Sequence, residues 1–135
     1  MIKLVQKLCR NWYFPLLWTF IILALLVLPG ASIPGNGLFG IKNFDKVAHV
    51  ILFGGFVLFW AIFSWNRKKS EKSWVRSLFI ITLISIAIGV IMEFVQRNYI
   101  PNRSFDIGDI WADLAGSAAI AILLLFTGKK SGVLL

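Results

Sequence analysis

Residues 47–65 read VAHVILFGGFVLFWAIFSW, a run without Asp, Glu, Lys or Arg in which His49 is the one titratable side chain. At 1.5 Å of rise per residue, a helix over this run crosses the roughly 30 Å hydrocarbon core of a bilayer. Two more stretches, 12–28 and 75–92, are nearly free of charge and long enough to do the same. A fourth, 107–126, is apolar apart from Asp109 and Asp113. The whole chain of 135 residues is 59% hydrophobic and 15% charged, with mean hydropathy +0.82, where soluble domains carry about 25% charged residues. Backbone groups in lipid must be satisfied within helices. The sequence therefore predicts an all-α, integral membrane four-helix bundle: one transmembrane domain over 1–135, with helices at about 12–29, 46–66, 74–97 and 106–127.

Basic residues predict how the bundle is oriented. Lys3, Lys7 and Arg10 precede the first apolar stretch. Arg67, Lys68, Lys69, Lys72 and Arg76 lie around the connection between the second and third, and Lys129 and Lys130 follow the fourth. Short loops rich in Lys and Arg stay on the cytoplasmic side, so both termini are expected inside, N-in/C-in. Lys42, Lys46, Arg97 and Arg103 are left outside. This asymmetry, with attraction to anionic headgroups, accounts for the net charge of +8 without a nucleic-acid partner. The first apolar stretch is longer than the usual signal-peptide core of about 7 to 15 residues and reads as a retained anchor. The lone Cys9 permits no intramolecular disulfide. It is either inert or a juxtamembrane acylation site.

Between the stretches, 29–44 holds Pro29, Gly30, Pro34, Gly35, Gly37 and Gly40 and reads as an irregular outer loop. Pro101-Asn102-Arg103-Ser104 reads as a turn that re-enters a helix. Trp12, Tyr13, Trp60, Trp65 and Trp74 fall near the inner interface, where aromatic belts form. Gly108, Ala112 and Gly116 recur every four residues, a smooth ridge against which another helix can pack closely.

Polar clusters interrupt this pattern, and a charge in hydrocarbon costs about 2.5 kcal/mol or more, so such residues face a protein interior. Asp45, Lys46 and His49 open the second predicted helix; Glu93, Gln96 and Arg97 close the third; Arg103, Asp106, Asp109 and Asp113 open the fourth. With alternating directions, all of them meet in the outer half of the bundle. Each has a plain structural explanation beside a functional one. Asp45 can cap its helix and His49 can be a hydrogen-bonded interior residue, or His49 can be a proton-handling base. Glu93 can pair with Arg97 while Gln96 satisfies a loop carbonyl, or Glu93 can face His49. Asp106 suits an N-cap with Asp109 three residues on. Asp113, about 10 Å deeper along the axis, cannot cap and needs a partner. One His without a second His or Cys motif is a weak metal signal, so no metal site is assigned, and the cofactor is unknown. Lys46, Arg97 and Arg103 suit an anionic headgroup.

The ordered pattern Asp45-Lys46-x-x-His49, Glu93-x-x-Gln96 and Pro101-x-Arg103-x-x-Asp106-x-x-Asp109-x-x-x-Asp113-x-x-Gly116 resembles the VanZ-like family of small bacterial membrane proteins, over about 43–120. That family usually has Asn where this chain has Asp113. The resemblance implies a multi-pass protein of the bacterial cytoplasmic membrane and a link to teicoplanin susceptibility, without implying a reaction. Three classes of function follow. The first is a pocket that binds or modifies an anionic envelope lipid or lipid-linked glycan, with His49 and Glu93 handling protons. In it Lys46, Arg97 and Arg103 touch the anion, and Asp45, Gln96, Asp106, Asp109 and Asp113 organise the site. The second is a proton- or ion-coupled transporter subunit, for which so small a bundle needs a homo-oligomer. The third is a structural or partner protein in which the polar residues lock the helices together.

Overall fold

The computed structural model describes residues 2–29 and 43–130, with side chains over 4–29 and 43–127. The glycine-rich segment 30–42 with Lys42, and the side chains of Lys3, Lys129 and Lys130, lie outside the described residues. Five helices follow one another: α1 (Ile2–Leu8), α2 (Tyr13–Leu26), α3 (Phe44–Trp65), α4 (Glu71–Tyr99) and α5 (Ile107–Lys130). The described residues contain no strand. α3, α4 and α5 are long and apolar enough to cross a membrane. α2 is shorter than the sequence suggests, 14 residues or about 21 Å. The short α1 is an addition to the four expected helices.

Local chemistry explains the helix boundaries. Pro15 sits in the first turn of α2, where its missing N–H costs no helical hydrogen bond. The Ser70 hydroxyl accepts from the Ser73 N–H at 3.1 Å and starts α4. α3 begins at Phe44 behind Asn43, which takes the left-handed conformation (φ 60°). Asp45 is therefore in the first turn of α3 instead of capping it. Asn102 adopts the same conformation (φ 59°) in the turn after Pro101, a role Asn tolerates better than other non-glycine residues.

α3, α4 and α5 form the body, with Phe53, Val57, Ala61, Trp74 and Leu78 in its core. The small-residue ridge of α5 lies against α3. A methyl group added at Gly116 would overlap the backbone carbonyl of Val50, and one at Gly54 would stand 3.2 Å from the Gly116 carbonyl oxygen. Phe79, Ile91, Trp111, Ile122 and Phe126 point outward, as side chains facing lipid should.

α3 and α5 start, and α4 ends, at one end of the bundle. The α3–α4 connection is at the other end, and there α1 docks: Asn66 Nδ2 donates to the Cys9 carbonyl (3.3 Å) and Arg67 to the Arg10 carbonyl (3.1 Å). Two of the five aromatic residues expected in an interfacial belt are buried at this end. Trp65 and Trp74 meet edge to face at 4.7 Å, and Trp74 Nε1 donates to the Ala61 carbonyl at 3.2 Å. The helix turn brings their rings inward, where the indole N–H finds a carbonyl. Trp12 and Tyr13 are exposed. Cys9 is fully buried, and burial pushes its thiol up to about 11, which speaks against acylation in the folded protein.

Candidate functional site

At the end of the bundle opposite the α3–α4 connection, side chains from three helices meet. His49 is one turn inside α3, its ring stacked near Phe53 with centroids 6.1 Å apart. Its Nδ1 lies 2.8 Å from Asp113 Oδ1 on α5. Its other nitrogen, Nε2, lies 3.8 Å from Asp109 Oδ2, beyond hydrogen-bonding length. Glu93 comes in from α4, and its Oε2 accepts the backbone N–H of Asp106 at 2.9 Å. One donor atom from each of His49, Glu93 and Asp109 falls within 4.8 Å of the other two. Glu93 and Asp113 are each 1% exposed.

Nearer the helix ends lies a second polar group. Lys46 Nζ donates to Asp106 Oδ2 at 2.6 Å and to Asp109 Oδ1 at 3.1 Å, and pairs with Asp45 at 3.5 Å. Asp106 Oδ1 accepts the Gly108 N–H at 2.7 Å, so this residue caps α5 while it holds the lysine. The Lys46 ammonium, with that N–H, keeps the Asp106 carboxyl below the usual carboxylate range. Asp109 joins the two groups, one oxygen on Lys46 and the other facing His49.

Other residues singled out in the sequence go elsewhere. Gln96 is buried, and its Nε2 donates to the Leu26 carbonyl at 2.9 Å. It satisfies a free carbonyl at the end of α2 and ties that helix to α4. Arg97 is exposed in the last turn of α4 and forms no ion pair with Glu93 or any other described carboxylate. The helix turn carries it outward while Glu93 points in. Arg103 is half-buried, and its Nε is shielded from solvent with no hydrogen-bond partner among the described residues. The anion-gripping trio of Lys46, Arg97 and Arg103 is thus reduced, since Lys46 is already held by three carboxylates.

Three contributors escape a reading of charge alone. Gly89 lies against Asp113, where a methyl group would overlap the carboxylate. Ser85 and Ser117 share a buried hydrogen bond of 2.8 Å one turn below Asp113. Ser85, Gly89 and Glu93 recur every four residues along one face of α4, as Asp109, Asp113 and Ser117 do on α5. That small-and-polar spacing is the signal that finds them.

A family model described as VanZ/LLP1 matches residues 6–128, most of the chain. The chain belongs to the VanZ-like family. No curated protein and no solved structure matches it. With three apolar helices of spanning length, it is a VanZ-like membrane protein. The match takes in α2 as well as the polar motifs of α3 to α5.

Proposed function

We propose that this VanZ-like protein lies in the bacterial cytoplasmic membrane as a multi-pass protein, basic end inward, and uses its acid–imidazole end to bind or modify an anionic envelope lipid or lipid-linked glycan. The observation that carries this reading is Arg103. Its half-buried guanidinium has an unpartnered Nε and no described carboxylate in ion-pair contact, and it lies three residues before Asp106. A buried guanidinium N–H without an acceptor is costly unless a ligand supplies one. Arg97, exposed on the adjoining helix end, adds positive potential at the rim.

Behind the arginine, His49 and Glu93 handle protons. Asp113 on Nδ1 orients the imidazole and leaves Nε2 facing inward to take or give one. Asp109 and Asp113 organise the site, with Asp45, Asp106 and Lys46 closing its mouth. A one-sided site is favoured over a transport path, because below the Ser85–Ser117 pair the helices pack through Ala61, Trp74, Leu78 and Leu124.

The test is native mass spectrometry of protein taken from nanodiscs that mix phosphatidylglycerol with phosphatidylcholine. Preferential retention of the anionic lipid, reduced about tenfold in Arg103→Ala, equivalent to about 1.4 kcal/mol, supports the reading. Equal retention of both lipids, or an Arg103→Ala variant indistinguishable from wild type, refutes it. In cells, expression of the chain is expected to lower teicoplanin susceptibility, and His49→Ala to abolish that effect.

A further inference from the structure

We infer that His49 Nε2, Glu93 and Asp109 form a binding site for one divalent transition-metal ion, with Asp113 orienting the histidine. This goes beyond the lipid reading: it leaves the Arg103 contact untouched, and with the ion bound it gives His49 Nε2 and Glu93 a ligating role in place of proton handling.

The first support is geometric. Donor atoms about 2.1 Å from a common ion lie up to about 4.2 Å apart. The 3.8 Å between His49 Nε2 and Asp109 Oδ2 is too long for a hydrogen bond and fits two ligands of one ion. A carboxylate oxygen of Glu93 completes a set within 4.8 Å, which a side-chain shift of roughly half an ångström draws to a common ion. These donors come from three different helices, α3, α4 and α5.

The second is an unmet demand. Glu93 is 1% exposed, and its Oε1 has no hydrogen-bond partner among the described residues, while Oε2 is held by the Asp106 N–H. A buried carboxylate oxygen without a donor must either take up a proton or meet a cation. Among the described residues, only Lys46 and His49 form ion pairs with Glu93, Asp109 or Asp113, and neither of them pairs with Glu93. A divalent ion balances this excess of negative charge.

The third is the tautomer. His49 Nδ1 lies 2.8 Å from Asp113 Oδ1; an ionised carboxylate there can only accept, so it selects the Nδ1–H tautomer, whose Nε2 lone pair faces the carboxylates. A carboxylate behind a ligating imidazole is the usual outer support of a metal site. One nitrogen and two carboxylates suit Zn²⁺ or Mn²⁺ better than Mg²⁺, which prefers oxygen and retains water. Three protein ligands leave a coordination position for water or a substrate oxygen. The neighbouring trio Asp45, Asp106 and Asp109 also has ligand spacing, but the Lys46 ammonium already occupies it.

The experiment uses the full chain in detergent, purified without chelator, with metal content read by inductively coupled plasma mass spectrometry. Chelator-stripped protein is then titrated with Zn²⁺, Mn²⁺ and Mg²⁺ by calorimetry and thermal shift. The inference expects about one Zn²⁺ or Mn²⁺ per chain and a metal-dependent rise in melting temperature. Glu93→Gln and Asp109→Asn should lose that rise, and Asp113→Asn should weaken binding by about 10- to 100-fold. Glu71→Gln, at an exposed acid in the first turn of α4 at the opposite end, should bind as wild type does. Glu93→Gln keeps its shape, so circular dichroism and size exclusion confirm its fold beforehand. Absence of saturable binding to wild type up to about 1 mM metal near pH 7.5, equal binding by Glu93→Gln, or a co-purified lipid amine in place of metal overturns it.

Discussion

The two polar groups at the α3/α5 starting end use the same residue types to opposite effect. At the mouth, Lys46 sits among Asp45, Asp106 and Asp109, and Asp106 doubles as a helix cap. One turn deeper, His49, Glu93 and Asp113 are almost wholly buried yet leave Glu93 Oε1 and Asp113 Oδ2 without hydrogen-bond partners. The mouth satisfies itself. The interior does not, and burial makes an unmet polar atom more costly there than at a half-exposed rim. The comparison separates a fastening from a site.

The largest expected effect is on both groups at once. Gly116→Val must push α3 off α5 at Val50, with an expected loss of about 3 kcal/mol or more. Thermal unfolding in detergent would show it, and a melting temperature within a degree of wild type would deny the close approach. Next comes the interior. His49→Leu leaves Asp113 without its 2.8 Å partner and should cost about 3 kcal/mol, whereas the double replacement His49→Leu/Asp113→Leu should recover most of that stability without recovering function. Recovery of both would make the interior a fastening too.

The mouth should be gentler. Lys46 and Asp106 are 33% and 44% exposed, so Lys46→Met is expected to cost only about 1 kcal/mol. A larger loss than that of His49→Leu would invert the comparison. The smallest effect is in the pH dependence. The Asp106 carboxyl lies below its ordinary value in the folded protein, so its contribution is complete above the unfolded value and fades as pH falls through the folded one. The stability gap between wild type and Asp106→Asn should thus be flat from about pH 8 to pH 5 and narrow only below about pH 4. A gap that narrows between pH 7 and 5 would assign the titration to another group.

Much of this was legible along the chain. An apolar run such as 47–65 declares a helix because hydropathy and length are local properties. Of the expected meeting of His49, Glu93, Arg103 and Asp113, the three other than Arg103 come together, because antiparallel neighbours can bring the start of one helix beside the end of the next. Arg103 forms no ion pair with a described carboxylate. The Asp106 cap was readable from Asp109 three residues on, and the structure supplies the Gly108 N–H as its donor. Other roles depended on how far each helix turns about its axis. A rotation of one residue, about 100°, sends Arg97 outward while Gln96 reaches Leu26 and Trp65 and Trp74 turn into the core. The notion that Asp45 caps α3 failed because Asn43 reverses the chain one residue before the helix starts.

By itself, the sequence determined that this is a helical membrane chain of the VanZ-like family, with five of its six acids gathered at one end and its basic connection, beside Glu71, at the other. Only the tertiary structure decided which acid meets which base. Lys46 can reach several carboxylates by spacing alone, and the contact between Gly116 and Val50 sets the depth at which α5 lies against α3. That depth gives Asp106 and Asp109 to the lysine and Asp113 to the histidine. Ion pairing and ligation change over fractions of an ångström, whereas the patterns that specify a helix repeat over whole turns.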